Sequence, residues 1–138
     1  MKKADAPAVA DLIRSLTKNI PDSNGLVSFL ESLCQSTCCH CLVAECDGNV
    51  VAHGALVVLT KPSKGLHGRI EEVVVDERYK NHGIASSLME KLEKLAKSLE
   101  LSQVELETSN PVAEHIYEKQ GFKKKAGTVV MIKRFFTV

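Results

Sequence analysis

Apolar positions along the chain follow two rhythms, one of helical and one of strand period, and the elements can be read from where each holds. Val9, Leu12, Ile13 and Leu16 recur at spacings of three and four, which puts them on one side of a helix that must bury that side. Asp5 is placed to cap this helix, and Pro7 is tolerated in its opening turn, where an amide has no intrahelical acceptor to lose. The cluster Pro21-Asp22-Ser23-Asn24-Gly25 breaks the pattern, and Leu26, Phe29, Leu30 and Leu33 resume it in a second, shorter helix.

From Cys41 to Cys46 and from Asn49 to Val58 the chain is rich in β-branched and small apolar residues, and Asp47-Gly48 between them is a strong two-residue hairpin signal. Lys61-Pro62-Ser63-Lys64-Gly65 reads as a solvated loop into the next strand. That strand, Ile70 to Val75, has no helical period. It passes through a glycine-containing turn into a helix carrying Ile84, Leu88, Leu92, Leu95 and Leu99. Val104 and Leu106 then alternate with Gln103, Glu105 and Glu107, a strand that the preceding helix, acting as a crossover, makes parallel to the one before it. A helix from about Pro111 to Gln120 follows, with Asn110 as its cap, Pro111 at its first position and Gly121 just past its end. Phe122 to Phe135 reads as two strands broken near Gly127.

Composition narrows the function. With 138 residues, 44% of them hydrophobic, the chain fits one domain, residues 1–138, with a single well-buried core. A formal charge of +1 from 18 basic and 17 acidic residues provides no field to attract nucleic acid or an anionic membrane. There is no apolar run of transmembrane length and no signal-peptide core, so the expectation is a soluble cytoplasmic protein. Cys34, Cys38, Cys39, Cys41 and Cys46 crowd one interval, but their number is odd and the single C-x-x-C lacks a second pair at finger-like distance. They read as small apolar side chains rather than a zinc site, and no metal is expected.

The strand, turn and helix from Ile70 to Met89 carry the chemical signal. Helix-start amides lack intrahelical partners and the helix dipole adds positive potential, so an anion, most simply a phosphate, is favoured there. Gly83 and Ala85 leave room for it to approach the backbone. A lone glycine turn is equally a plain connection, and the downstream segment decides between the two. Lys80-Asn81-His82-Gly83-Ile84-Ala85 and then Asn110, Ala113, Ile116, Tyr117, Lys119, Gly121 and Phe122 stand in the order and spacing of two motifs of the GNAT superfamily of acyl-CoA-dependent N-acyltransferases. The first motif has the form Arg/Gln-x-x-Gly-x-Gly/Ala, from which Lys80 departs. The second runs from an Asn through an apolar-Tyr pair to Gly-Phe. The chain therefore resembles that superfamily from Asp5 onward, and Gly68 to Val75 looks most like the glucosamine-6-phosphate N-acetyltransferases within it.

The resemblance implies an α/β fold with a mixed sheet, its central parallel strands splayed near a β-bulge, and the family's usual first strand reduced or absent, because only Met1 to Ala4 precede Asp5. It also implies acetyl-CoA as co-substrate. The pantetheine arm would lie along Val73, Val74 and Val75, and the pyrophosphate on Lys80, Asn81, His82, Gly83, Ile84, Ala85 and Ser86, with Asn110 and Tyr117 also lining the cofactor. A lysine-like amine with a pKa of about 10.4 needs roughly 4–5 kcal/mol to free its lone pair at neutral pH, so a base or a water relay is wanted. Glu71 and Glu72 are adjacent and face opposite ways on a regular strand, while a bulge alters which one reaches the cleft. The bland alternative is one solvated and one ion-paired carboxylate. Glu72 is preferred because the related sugar-phosphate enzymes carry an acid at the second position.

Tyr117 would protonate the departing thiolate, since a phenol of pKa about 10 suits a thiol of pKa near 8.5. Alone it would read as a helix aromatic packing on the sheet. His82 and His115 read as surface histidines. The function implied is transfer of acetyl to a primary amine by direct attack, with an amino-sugar phosphate as one acceptor class and a homodimer left open. Two other readings stand beside it: a protein lysine or N-terminal acetyltransferase, and a CoA-binding module without catalysis.

Overall fold

Asp47 and Gly48 take positive φ, 51° and 79°, the turn geometry whose twist matches that of the strands it joins. It closes a hairpin between β1 (Cys39–Cys46) and β2 (Asn49–Lys61). A tight turn over residues 62–64 then returns the chain into β3 (Gly65–Val75), with Lys61 paired to Gly65. On the far side of β3 lies β4 (Val104–Glu105), parallel to it, with Gly68 opposite Val104 and Arg69 opposite Glu105. The result is a four-stranded mixed sheet in the order β1-β2-β3-β4. This computed structural model describes residues 1–16 and 23–135. Pro21 and Asp22 of the expected helix-breaking loop lie outside them.

Helices cover the two faces separately. Val43 and Val50 pack against Ala6, Val9, Ala10 and Ile13 of α1 (Ala6–Leu16) and Leu30 of α2 (Ser23–Leu33). Val43 pairs with His53, so His53 lies on this face. Its neighbour Gly54 points the other way, where a Cβ would meet Leu92 Cδ1 at 3.0 Å and Leu88 Cδ2 at 3.1 Å of α3 (Ile84–Ser98). Leu56, Leu92, Val9 and Val51 are fully buried, and each such side chain contributes about 1.5–3 kcal/mol by leaving water. No helix among the described residues is long and apolar enough to cross a membrane.

By contact the chain divides into Met1–Leu106 and Glu107–Val138, and each unit is taken by itself. The second consists of α4 (Pro111–Lys119) and the extended segment after it. The two strands expected from Phe122 to Phe135 do not form among the described residues. The β-branched run there exposes Val129, Val130, Met131 and Ile132, and β propensity without a paired strand to take up the backbone groups makes no ladder.

Two other expectations, at Asp5 and around Val104, are adjusted. Asp5 does not cap α1; it sits in a short turn, Lys3–Asp5, and its carboxylate accepts from the Lys2 amide at 2.7 Å. No strand precedes α1 among the described residues, and the Met1 amine donates to the Cys41 carbonyl at 3.0 Å. The strand expected around Val104 is only two residues long. All five cysteines are free thiols. Cys39 and Cys41 bring their sulfurs to 4.0 Å on β1, and burial first, then Cys39, pushes the Cys41 thiol up to about 12.

Candidate active site

The decisive irregularity is in β3. On β2, His53 pairs with Val74 and Ala55 with Glu71, so Glu72 and Val73 together oppose the single Gly54. This is a β-bulge. Glu72 takes φ 52°, a left-handed conformation that glycine usually fills in such bulges and that costs a residue with a Cβ about 1–2 kcal/mol. The Glu72 carbonyl, displaced from the ladder, accepts from Nδ1 of His53 at 2.9 Å. His53 is 1% exposed. Burial lowers its pKa, against the opposing effect of the bond to Glu72.

The bulge also separates the two carboxylates. Glu71 receives Arg69 Nε at 2.9 Å, and Arg69 also approaches Glu105 at 3.6 Å. Glu105 in turn takes Lys64 at 3.2 Å and the Gln103 amide at 2.8 Å. Glu71 is therefore part of a charged cluster. The Glu72 side chain reaches solvent, yet desolvation by the protein around it, with the charge of Glu71 second, raises its pKa. A carboxyl group so placed holds a proton more readily than a free one, which is what a base acting on an amine requires.

Beyond Arg69, β3 has no strand partner on the β4 side among the described residues. Val73, Val74 and Val75 run along that open edge, Val74 buried and the other two half-buried. Asp76 ends the strand and turns the chain into Glu77–Tyr79 by accepting from the Arg78 amide at 2.9 Å. Hydrogen bonds from the exposed Arg78 guanidinium and amide hold the Asp76 pKa down to about 2.

The loop into α3 then bends twice through positive φ, at Asn81 (65°) and Gly83 (75°). A Cβ built on Gly83 meets nothing within 4 Å, so the approach to the first amides of α3 is open. Those of Gly83, Ile84 and Ala85 start the helix and have no intrahelical acceptor. Ser86 follows half-buried in the same turn. His82 is exposed, and its Nδ1 donates to the Lys80 and Tyr79 carbonyls at 2.8 and 3.1 Å, bracing the loop from within. Lys80 is drawn to Glu77 at 2.7 Å. The positive potential at this helix start is thus main-chain in origin, with Lys80 and Arg78 already engaged by Glu77 and Asp76.

In the second unit, Asn110 Oδ1 accepts from the Val112 amide at 2.9 Å and so caps α4 as expected. Tyr117 is half-buried on that helix, its ring 5.9 Å from that of Phe122 and tilted to it by 59°. Burial raises the pKa of its phenol. His115 is exposed.

The sequence model of the acetyltransferase (GNAT) family matches residues 9–122. The chain belongs to that family. Among curated proteins it is 38% identical over 85 residues to the L-amino acid N-acetyltransferase AaaT of Escherichia coli (strain K12), an alignment covering 59% of this chain and 52% of that protein. The chain thus spans about half the length of the curated relative it matches. Among solved structures it superposes on glucosamine-6-phosphate N-acetyltransferase from Arabidopsis thaliana with a TM-score of 0.83 at 24% identity, covering 99% of this chain and 95% of that one. It also superposes on a predicted acetyltransferase with acetyl-CoA from Clostridium acetobutylicum, with a TM-score of 0.81 at 16% identity over 96% and 92% of the two chains. The fold is that of the GNAT acetyltransferases, with the mixed sheet the motifs implied.

Two residues of this candidate site escaped the sequence reading. Arg69, which engages Glu71, stood next to the expected acids, but nothing in its spacing distinguished it from a solvated cation. His53 did leave a signal, a lone histidine inside the apolar run Val50-Val51-Ala52-His53-Gly54-Ala55, where a buried imidazole needs a hydrogen-bond partner.

Proposed function

We propose that the protein is an acetyl-CoA-dependent N-acetyltransferase that acetylates a small primary amine by direct attack. The observation that carries the reading is the continuous path from the bulged, one-sided edge of β3 into a Gly83 turn and the open N-terminus of α3. Acetyl-CoA supplies the thioester. Val73, Val74 and Val75 offer backbone groups to its extended arm, and the amides of Gly83, Ile84 and Ala85 suit its pyrophosphate. Three or four such donors at about 1.5–3 kcal/mol each support micromolar binding after the entropy of association. Lys80, Asn81, His82 and Ser86 flank that phosphate site, and Asn110 shapes the helix carrying Tyr117.

Glu72, with its raised pKa, is the base that removes the ammonium proton, directly or through water. The ion pair with Arg69 makes Glu71 a partner in organising the strand rather than the base itself. Tyr117 returns a proton to the thiolate, and its raised pKa keeps the phenol protonated until then. For the acceptor, the curated relative's name makes an α-amino acid the first compound to test, with glucosamine 6-phosphate, after the structural neighbour, the second. A cytoplasmic setting and a single functional unit across residues 1–138 belong to the same reading.

The test is thiol release from acetyl-CoA across amino acids, amino-sugar phosphates, polyamines and peptides, followed by Tyr117→Phe on the best acceptor. A kcat lower by roughly 10²–10⁴-fold with acetyl-CoA affinity intact is expected. Acetyl-CoA binding with no turnover on any amine would leave a CoA-binding module instead.

A further inference from the structure

The bulge in β3 raises a question its own residues do not answer: what keeps Glu72 left-handed when it is not a glycine and has no register partner on β2. We propose that His53 is a positioning residue, its imidazole clamping the Glu72 carbonyl so that the bulge, and with it the Glu72 carboxylate and the backbone of Val73 and Val74, keeps one geometry. The inference rests on the acetyltransferase reading for its catalytic consequence, but not for the clamp itself.

The hydrogen bond fixes the chemistry of the ring. A carbonyl oxygen only accepts, so at 2.9 Å the proton must be on Nδ1 of His53. Nε2 then carries the lone pair, and it is buried with no hydrogen-bond partner among the described residues. A second proton there would be a buried, unpaired donor, so the ring is held neutral and in one tautomer. Space-filling alone does not call for this residue: with Val43 and Val74 as its cross-strand neighbours and the α1 side of the core around it, a leucine would fill the position at no polar cost. What leucine lacks is the donor. The left-handed turn at Glu72 swings its carbonyl out of register with Gly54, and His53, directly before that glycine on β2, is where a side-chain donor can meet it.

The experiment uses the full chain and two variants, His53→Leu and His53→Asn, the asparagine amide being able to occupy the place of Nδ1–H. In the wild type, ¹⁵N-detected imidazole resonances should show the Nδ1–H tautomer at neutral pH. His53→Leu should fold and bind acetyl-CoA within a few-fold of wild type, yet lose at least tenfold in kcat with KM for acetyl-CoA little changed, and its Val73 and Val74 amides should exchange at least tenfold faster. His53→Asn should recover most of both effects. A structural filler would instead alter thermal stability without the kcat loss or the rescue. An Nε2–H tautomer in the wild type, or a folded His53→Leu with wild-type kcat and wild-type exchange, overturns the proposal. Should no amine be acetylated, the functional reading fails alone, because tautomer and amide exchange still decide whether the clamp exists. Should His53→Leu not fold, the wild-type tautomer and the exchange rates of His53→Asn decide it.

Discussion

At Gly68 and Arg69, β3 has a strand on both sides, β2 and β4; from Ile70 onward only β2 accompanies it among the described residues. The first half is closed by packing. At Gly68 an added Cβ would lie 2.7 Å from Leu56 Cδ1, 3.0 Å from Leu101 Cδ1 and 3.3 Å from Val104 Cγ1, so the sheet and its cover leave no spare volume. The second half is irregular, with a left-handed glutamate, a register shift and an unpaired edge. One strand thus does two jobs. Its closed half contributes stability through burial, and its open half, on the proposed reading, keeps backbone groups available to a ligand at some cost in stability.

The widest separation of the two jobs is expected from Glu72→Gly. Glycine accepts φ 52° without strain, so the variant should unfold at higher denaturant, by about 1 kcal/mol, while losing the proposed base and roughly 10²–10⁴-fold in kcat. Chemical denaturation and steady-state rates on one preparation would show both, and a variant that is both less stable and fully active would break the comparison. Next in size, Gly83→Asp places bulk and negative charge beside the loop amides, with the strain of a side chain at φ 75°. A thermal stabilisation by acetyl-CoA equivalent to about 2.7 kcal/mol at a hundred times its Kd should disappear. An unchanged Kd by calorimetry would remove the phosphate assignment.

In the closed half, Gly68→Ala should do the opposite of Glu72→Gly. Overpacking against the fully buried Leu56 costs about 1–3 kcal/mol, with little effect on kcat per folded molecule. The smallest effect concerns pH. Burial, with the N-terminal amine adding to it, lowers the His53 pKa below its ordinary value of 6.5. The folded state therefore binds fewer protons than the unfolded one in mild acid. The stability contributed by neutral His53 is complete above about pH 6.5 and is lost as pH falls below it. Urea titrations at pH 7.5 and 5.5 should show the wild type losing more stability than His53→Asn.

The legible parts of the chain were those where a period and a terminator agree. The stripe of α3 with Gly83 before it, the hairpin at Asp47-Gly48, and Asn110-Pro111 opening α4 were all readable because local physics and tertiary structure ask for the same residues. The bulge was expected from family resemblance, but its position was hidden, since the left-handed residue is a glutamate and glutamate gives no turn signal. Phe122 to Phe135 misled for the converse reason. Its β-branched residues satisfy propensity, yet a strand exists only when another strand takes up its backbone groups. Among the candidate site residues, Glu72 was preferred to Glu71 only by resemblance, whereas the structure separates them physically: Glu71 is ion-paired with Arg69 at 2.9 Å, and Glu72 sits exposed at the bulge with φ 52°.

The loop before α3 has a further implication. What it demands at Asn81 and Gly83 is handedness rather than any functional group. Asparagine and glycine meet the demand because they are the residues that enter left-handed backbone most easily. A loop specified by chirality leaves its other side chains nearly unencoded, which accounts for a lysine standing where the family's motif prefers arginine or glutamine. By the same logic, a chemically synthesised chain with D-alanine at position 83 would satisfy the requirement as well as glycine does, with fewer unfolded conformations to give up on folding.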